Sequence, residues 1–97
     1  LEEENIMPKF LAVHVLSSPK TTEQGAPLAK KVKANITVDA YWVRSWGQLN
    51  KEGKIAKLFC EWNATNIDAV RKVLAKIPEL PTEGIYPMAI LDAEDFR

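Results

Sequence analysis

Residues 53–64, GKIAKLFCEWNA, constrain the fold of this chain more than any other stretch. A glycine turn signal opens the segment, large apolar side chains alternate through Leu58, Cys60 and Trp62, and the run hands over at Thr65 to the clearest helical periodicity in the chain. Alternation over a strand's length sends successive side chains to opposite faces of a sheet. The opposite set, Ile55, Lys57, Phe59 and Glu61, is partly apolar as well, as an interior strand covered on both sides requires.

The remaining elements follow from pattern and punctuation. Residues 9–16, KFLAVHVL, form a strand whose faces are Phe10, Ala12, His14, Leu16 and Leu11, Val13, Val15, and residues 17–20 read as a turn. Thr21 and Gln24 make a capping pair, but Gly25 and Pro27 are poor helix formers, so the helix is placed over residues 27–35 with Leu28 and Val32 inward. The run Lys30, Lys31 and Lys33 reads as its solvated face. A second strand spans residues 38–46, VDAYWVRSW, and a polar connection from Gly47 to Gly53 pairs it with the central strand. Thr65 and Asp68 resemble a capping box for a helix over residues 66–77, with Ile67, Val70, Leu74 and Ile77 on one stripe, and Pro78 ends it. Pro78, Pro81 and Gly84 mark a turn-rich passage before a last strand at residues 85–91, where Pro87 removes a backbone donor and so predicts an edge position.

The order β-α-β-β-α-β predicts an α+β, ferredoxin-like fold: a four-stranded antiparallel sheet with two helices on one face. It occupies residues 7–92 as a single domain, with residues 1–6 as a lead-in or expression remnant and 93–97 as a C-terminal tail that frays or docks Phe96. A chain of 97 residues with 46% hydrophobic content can form such a core without disulfides. Both faces of the first two strands are apolar, so a sheet covered by helices on one side exposes an apolar patch on the other. A homodimer packed sheet to sheet resolves this. On this reading Leu11, Val13 and Val15 face the helices, and Phe10, Ala12 and His14 face the second layer.

Thirteen basic residues balance thirteen acidic ones, so no net field directs the chain to nucleic acid or to an acidic membrane. The single cysteine excludes an intramolecular disulfide and fits a reducing compartment, and neither a signal peptide nor a spanning apolar run is recognisable, which together point to the cytoplasm. No phosphate loop, dinucleotide fingerprint, HExxH motif or serine elbow occurs. The candidate site is therefore a short set of residues. His14, the sole histidine, can bind a metal, contact a ligand or move a proton. Cys60 is a soft ligand or a small hydrophobe, and Glu61 points to the other side of its strand. Trp42 and Trp62 offer apolar walls with indole donors.

The segment MPKFLAVH at residues 7–14, the strand VDAYWVRSW and the run GKIAKLFCEWNATNIDAVRKV resemble a family of small ferredoxin-like dimeric proteins that includes a bacterial nickel-binding, nickel-responsive member. The resemblance covers residues 7 to about 89. It places His14 where family members often carry histidine and Cys60 in the family's cysteine-containing third strand, and it implies a homodimer and nickel or another divalent transition metal held through His14. The chain departs from the family in having no histidine in or after the second helix and only a loose equivalent of its glycine-proline passage.

Three functions are compatible with these residues. The first is noncatalytic binding of a small ligand or transition metal in a cavity at the sheet or dimer interface, near His14, Trp42, Cys60 and Trp62. The second is a cofactor-independent enzyme using His14 for proton transfer, and the third a purely structural dimerisation protein.

Overall fold

A computed structural model describes residues 7–96. Four strands, β1 (Lys9–Lys20), β2 (Ala40–Leu49), β3 (Ile55–Ala64) and β4 (Gly84–Met88), and two helices, α1 (Thr22–Ala34) and α2 (Ile67–Leu74), follow one another as β-α-β-β-α-β. The strands form one antiparallel sheet in the order β2-β3-β1-β4. Residues of α1 and α2 join one buried cluster with β1, β2 and β3, so both helices cover the same face and the topology is ferredoxin-like. As the alternation required, β3 lies inside the sheet. Pro87 sits on the edge strand opposite Phe10, where a missing donor disturbs no outer ladder.

The assignment of faces is the reverse of the one expected. Phe10, Ala12 and His14 turn toward the helices and are buried with Cys60 and Trp62, while Leu11, Val13 and Val15 lie on the outer face with Phe59. The reason lies in side-chain volume. Trp62 stands opposite Phe10 and Cys60 opposite Ala12, and this mixed set of large and small groups accepts α2's Val70, Val73 and Leu74.

Two register shifts change the phase along β2 and β3. Trp42 pairs with Trp62 but Arg44 with Glu61, so Val43 is an extra residue; beyond it Ser45 faces inward and Trp46 outward. Between Gln48↔Lys57 and Leu49↔Ile55 the extra residue is Ala56, which brings Ile55 to the inner side. Regular alternation would set Trp42, Arg44 and Trp46 on one face, and the bulge separates them.

Several boundaries also move. Strand β1 continues through residues 17–20, which read as a turn; the slip between Val15 and Lys20 absorbs Pro19, and β4 pairs only as far as Val13. Helix α1 starts at Thr22 because the Thr21–Gln24 capping box is complete in both directions, and it carries Gly25 and Pro27 inside. That local bonding outweighs the loss of one helical donor at Pro27. The cap of α2 is Asn66, whose side chain accepts from the Ala69 N–H at 2.9 Å, and not Thr65; Asp68 instead pairs with Arg71. The helix ends at Leu74, and Ile77 reaches the core on the turns that follow. Strand β4 stops at Met88, leaving Ile90 and Leu91 exposed, and Phe96 is exposed in a short 3-10 turn (Ala93–Phe96) and does not dock. The lead-in at residues 1–6 and Arg97 of the tail fall outside the described residues.

The cap assignment predicts that Asn66→Ala lowers unfolding free energy by about 1 kcal/mol, whereas Thr65→Ala changes it by less than about 0.5 kcal/mol. Equilibrium urea denaturation of the two variants distinguishes them.

Candidate functional site

Helix α1 presents small side chains to the sheet. Gly25, Ala26 and Ala29 occupy its inner surface, and opposite them stand Gly47, Ser45 and Cys60. Two sparsely furnished surfaces held apart by the sheet's larger residues leave a gap, here a cavity of about 410 Å³. Leu16, Leu28, Val32, Leu58, Leu74 and Leu80 complete much of its wall, with His14 and Trp42. Among the described residues no Asp or Glu lines it, and Lys20 is the one formally charged side chain. Gly47 is needed where it is, since a Cβ there would come within 2.9 Å of the Ile55 side chain.

The polar groups of the wall are mostly committed to one another. The Trp42 Nε1–H donates to Ser45 Oγ at 2.9 Å, and the Ser45 hydroxyl donates to Cys60 Sγ at 2.9 Å. Burial pushes the Cys60 thiol up to about 11, against the smaller opposing effect of the Ser45 hydrogen bond. Cys60 is therefore a neutral thiol at physiological pH, neither an activated nucleophile nor a ready thiolate ligand.

His14 differs. Its side chain has 0% of its surface exposed although it forms part of the cavity wall. Nδ1 lies 3.1 Å from the Pro81 carbonyl oxygen and 3.2 Å from Thr82 Oγ1. A carbonyl can only accept, so Nδ1 carries the proton and donates. Nε2 is buried and has no hydrogen-bond partner. Burial lowers the His14 pKa from its ordinary value, partly offset by the Pro81 carbonyl, which stabilises the protonated ring. The imidazole is held neutral.

Of the residues singled out in the sequence, His14, Trp42 and Cys60 meet at this cavity and Trp62 does not. Trp62 is fully buried in the core, its indole N–H unpartnered. The cavity lies beneath α1, on the helix side of the sheet. Sequence reasoning missed Pro81 and Thr82, which orient the histidine, and Ser45's bond to Cys60. The signal for the cavity was present in Gly25, Ala26 and Ala29, small residues at helical spacing, but it was overshadowed by the apparent break at Gly25 and Pro27. Among the described residues no three His, Cys, Asp or Glu side chains group closely enough to hold a metal ion. His14 and Cys60 together supply fewer donor side chains than a closed metal site takes. Comparison with protein-family models, curated proteins and solved structures returned no match.

A base whose pKa falls on folding binds its proton more readily in the unfolded chain. His14 consequently favours the folded state fully above the unfolded-state value near 6.5, and stability falls as pH drops below it, toward the lower folded-state pKa. Urea denaturation from pH 7.5 to 5 is expected to show this decline in the wild type and a shallower one in His14→Gln.

Proposed function

We propose that this protein binds a small, largely apolar molecule, without transforming it, in the cavity between α1 and the sheet. The observation that carries this reading is an apolar cavity lined in part by His14, a buried side chain whose Nε2 has no hydrogen-bond partner. Binding sites commonly have this composition: apolar walls that supply affinity and few polar groups that supply orientation, in volumes of roughly 300–1,000 Å³. The enzyme reading needs His14 to exchange protons during turnover, and a base held neutral by burial beside a committed Ser45–Cys60 pair is better suited to contact than to acid–base cycling. A transition metal at His14, nickel included, would need further donors from outside this set, which a second copy on the outer sheet face does not bring to it, and is the less favoured occupant.

Titration of the ¹⁵N-labelled protein with propylbenzene tests the binding reading. Amide shifts at Leu16, Leu28 and Leu58 that saturate, and are lost in Ala29→Leu, which fills the cavity from α1, are the expected result. Saturating ligand without shifts at these positions overturns it.

A homodimer forms the second part of the proposal, and the outer sheet face supports it. Val15, Trp46, Tyr86 and Met88 are exposed there alongside Leu11 and Phe59. Charges of both signs border them: Glu61 bonds Lys9 and, at 3.1 Å, Arg44, while Lys57 approaches Glu83 at 3.6 Å. An apolar centre with mixed charges suits a two-fold contact with another copy of the same face. Sedimentation velocity is expected to give a dimer for the wild type and a folded monomer for the double variant Val15→Lys, Trp46→Glu; a monomeric wild type at high micromolar concentration refutes it.

A further inference from the structure

The hydrogen bonding of the cavity wall restricts the chemistry of what can fill it. The Pro81 carbonyl requires a proton on Nδ1 of His14, and in a neutral imidazole the other nitrogen then carries a lone pair. Nε2 is thus an acceptor, buried and without a donor to meet it. The Trp42 indole is spent on Ser45 and the Ser45 hydroxyl on Cys60, which leaves Lys20 at the end of β1 and the hydroxyls of Thr21 and Thr22 at the start of α1 as the wall's other donors. A ligand group with only acceptor oxygens, whether a carboxylate, ether or ketone, would face the Nε2 lone pair with another lone pair. A cationic ligand would meet Lys20 with no carboxylate among the described residues of the wall to offset its charge.

We propose that the cavity selects a neutral, apolar molecule bearing a hydroxyl group, a phenol or an alcohol, whose O–H donates to Nε2 of His14. This rests on the reading that the cavity is a binding site, and adds the class of ligand and the atom that recognises it. Size agrees: an apolar cavity of roughly 150 Å³ admits benzene, so about 410 Å³ accommodates an aromatic ring with a short alkyl substituent. The neighbouring wall is apolar on β1, β3 and α1, contributed by Leu16, Leu58, Leu28 and Val32. Discrimination by a buried acceptor is effective because an analogue without the donor leaves it unpaired.

The test uses 4-propylphenol, its methyl ether 4-propylanisole, and 4-propylbenzoate, titrated into wild type and His14→Phe. Amide shifts at Leu28 and Leu58 report occupancy, and the ¹⁵N resonance of His14 Nε2 reports the hydrogen bond. Expected is binding of the phenol about tenfold tighter than the ether in wild type, a move of the Nε2 resonance toward the hydrogen-bonded position with the phenol alone, and loss of the preference in His14→Phe. Equal binding of phenol and ether, with cavity amides shifting, overturns the donor requirement while leaving the cavity a binding site. A preference for the benzoate also overturns it and assigns the head group to Lys20. Silence of the cavity amides with all three compounds removes the binding reading itself, and this inference with it. Should His14→Phe fail to fold, the wild-type Nε2 resonance decides alone: no shift at saturating phenol refutes the contact.

Discussion

The structure depends on an unequal division of one sheet face between two helices. Helix α2 inserts Val70, Val73 and Leu74, and the turns after it add Ile77 and Leu80, all buried. Of α1 only Val32 is buried. Leu28 packs partly buried against the core, and the remaining contacts of α1 are peripheral: Lys31 pairs with Glu79 at 2.6 Å in an exposed position, and the Lys33 ammonium stands 5.3 Å from the centre of the Tyr41 ring. Exposed contacts of this kind contribute little each. Helix α1 is consequently a stand-off helix, positioned by its complete N-terminal capping box and its rim, and the space it leaves is the cavity. Lining atoms with nothing opposite them forgo dispersion contacts, so an apolar occupant supplies packing that α1 itself does not.

His14 connects this space to the rest of the fold through its two nitrogens, which have separate tasks. Nδ1 secures the passage between α2 and β4 at Pro81 and Thr82, and the attachment continues where the Glu83 N–H donates to the Val13 carbonyl at 2.7 Å. This zips the passage against β1, so that Leu80 closes one end of the core. Because Nδ1 is committed in this way, the ring orientation and tautomer are set by the fold itself. Burying the imidazole opposes its protonation and leaves Nε2 unsatisfied, as burial also leaves the indole N–H of Trp62.

Much of the layout was legible in the sequence because it rests on periodicity and punctuation. The alternation in residues 53–64, the stripe Ile67, Val70, Leu74 and Ile77, and the edge-marking Pro87 each report a local geometric rule, and the element order then leaves few topologies. The gathering of His14, Trp42 and Cys60 was legible in the same way, since strands in register bring such residues together. Other features depend on long-range context. Which face of β1 meets the helices is decided by how Trp62, Phe10 and Ala12 fit α2, and alternation is symmetric between the two choices. Thr65 and Asn66 are both good caps, and only the path out of β3, where the Thr65 N–H is taken by the Asp39 carbonyl at 2.9 Å, selects Asn66. Trp62 looked like a cavity wall for the same reason that it is a core residue: a large inward side chain on a central strand fits both.

The bulges carry the most consequence for the site. With regular alternation through β2, Arg44 would share the inward face of Trp42, and a guanidinium would stand in the chamber beneath α1. The single extra residue Val43 instead turns Arg44 outward to Glu61 and brings the small, neutral Ser45 opposite Cys60. The extra residue Ala56 in β3 likewise moves Ile55 inward to fill the space over Gly47. Strand irregularities of this kind re-aim side chains without altering the order of the sheet. Here they separate two chemistries on one pair of strands: charge and exposed aromatic surface on the outer side, where a second copy can cover them, and an apolar cavity with one histidine acceptor on the inner side. That no guanidinium stands beneath α1 follows from the register of β2 and β3 as much as from the residues that line the cavity.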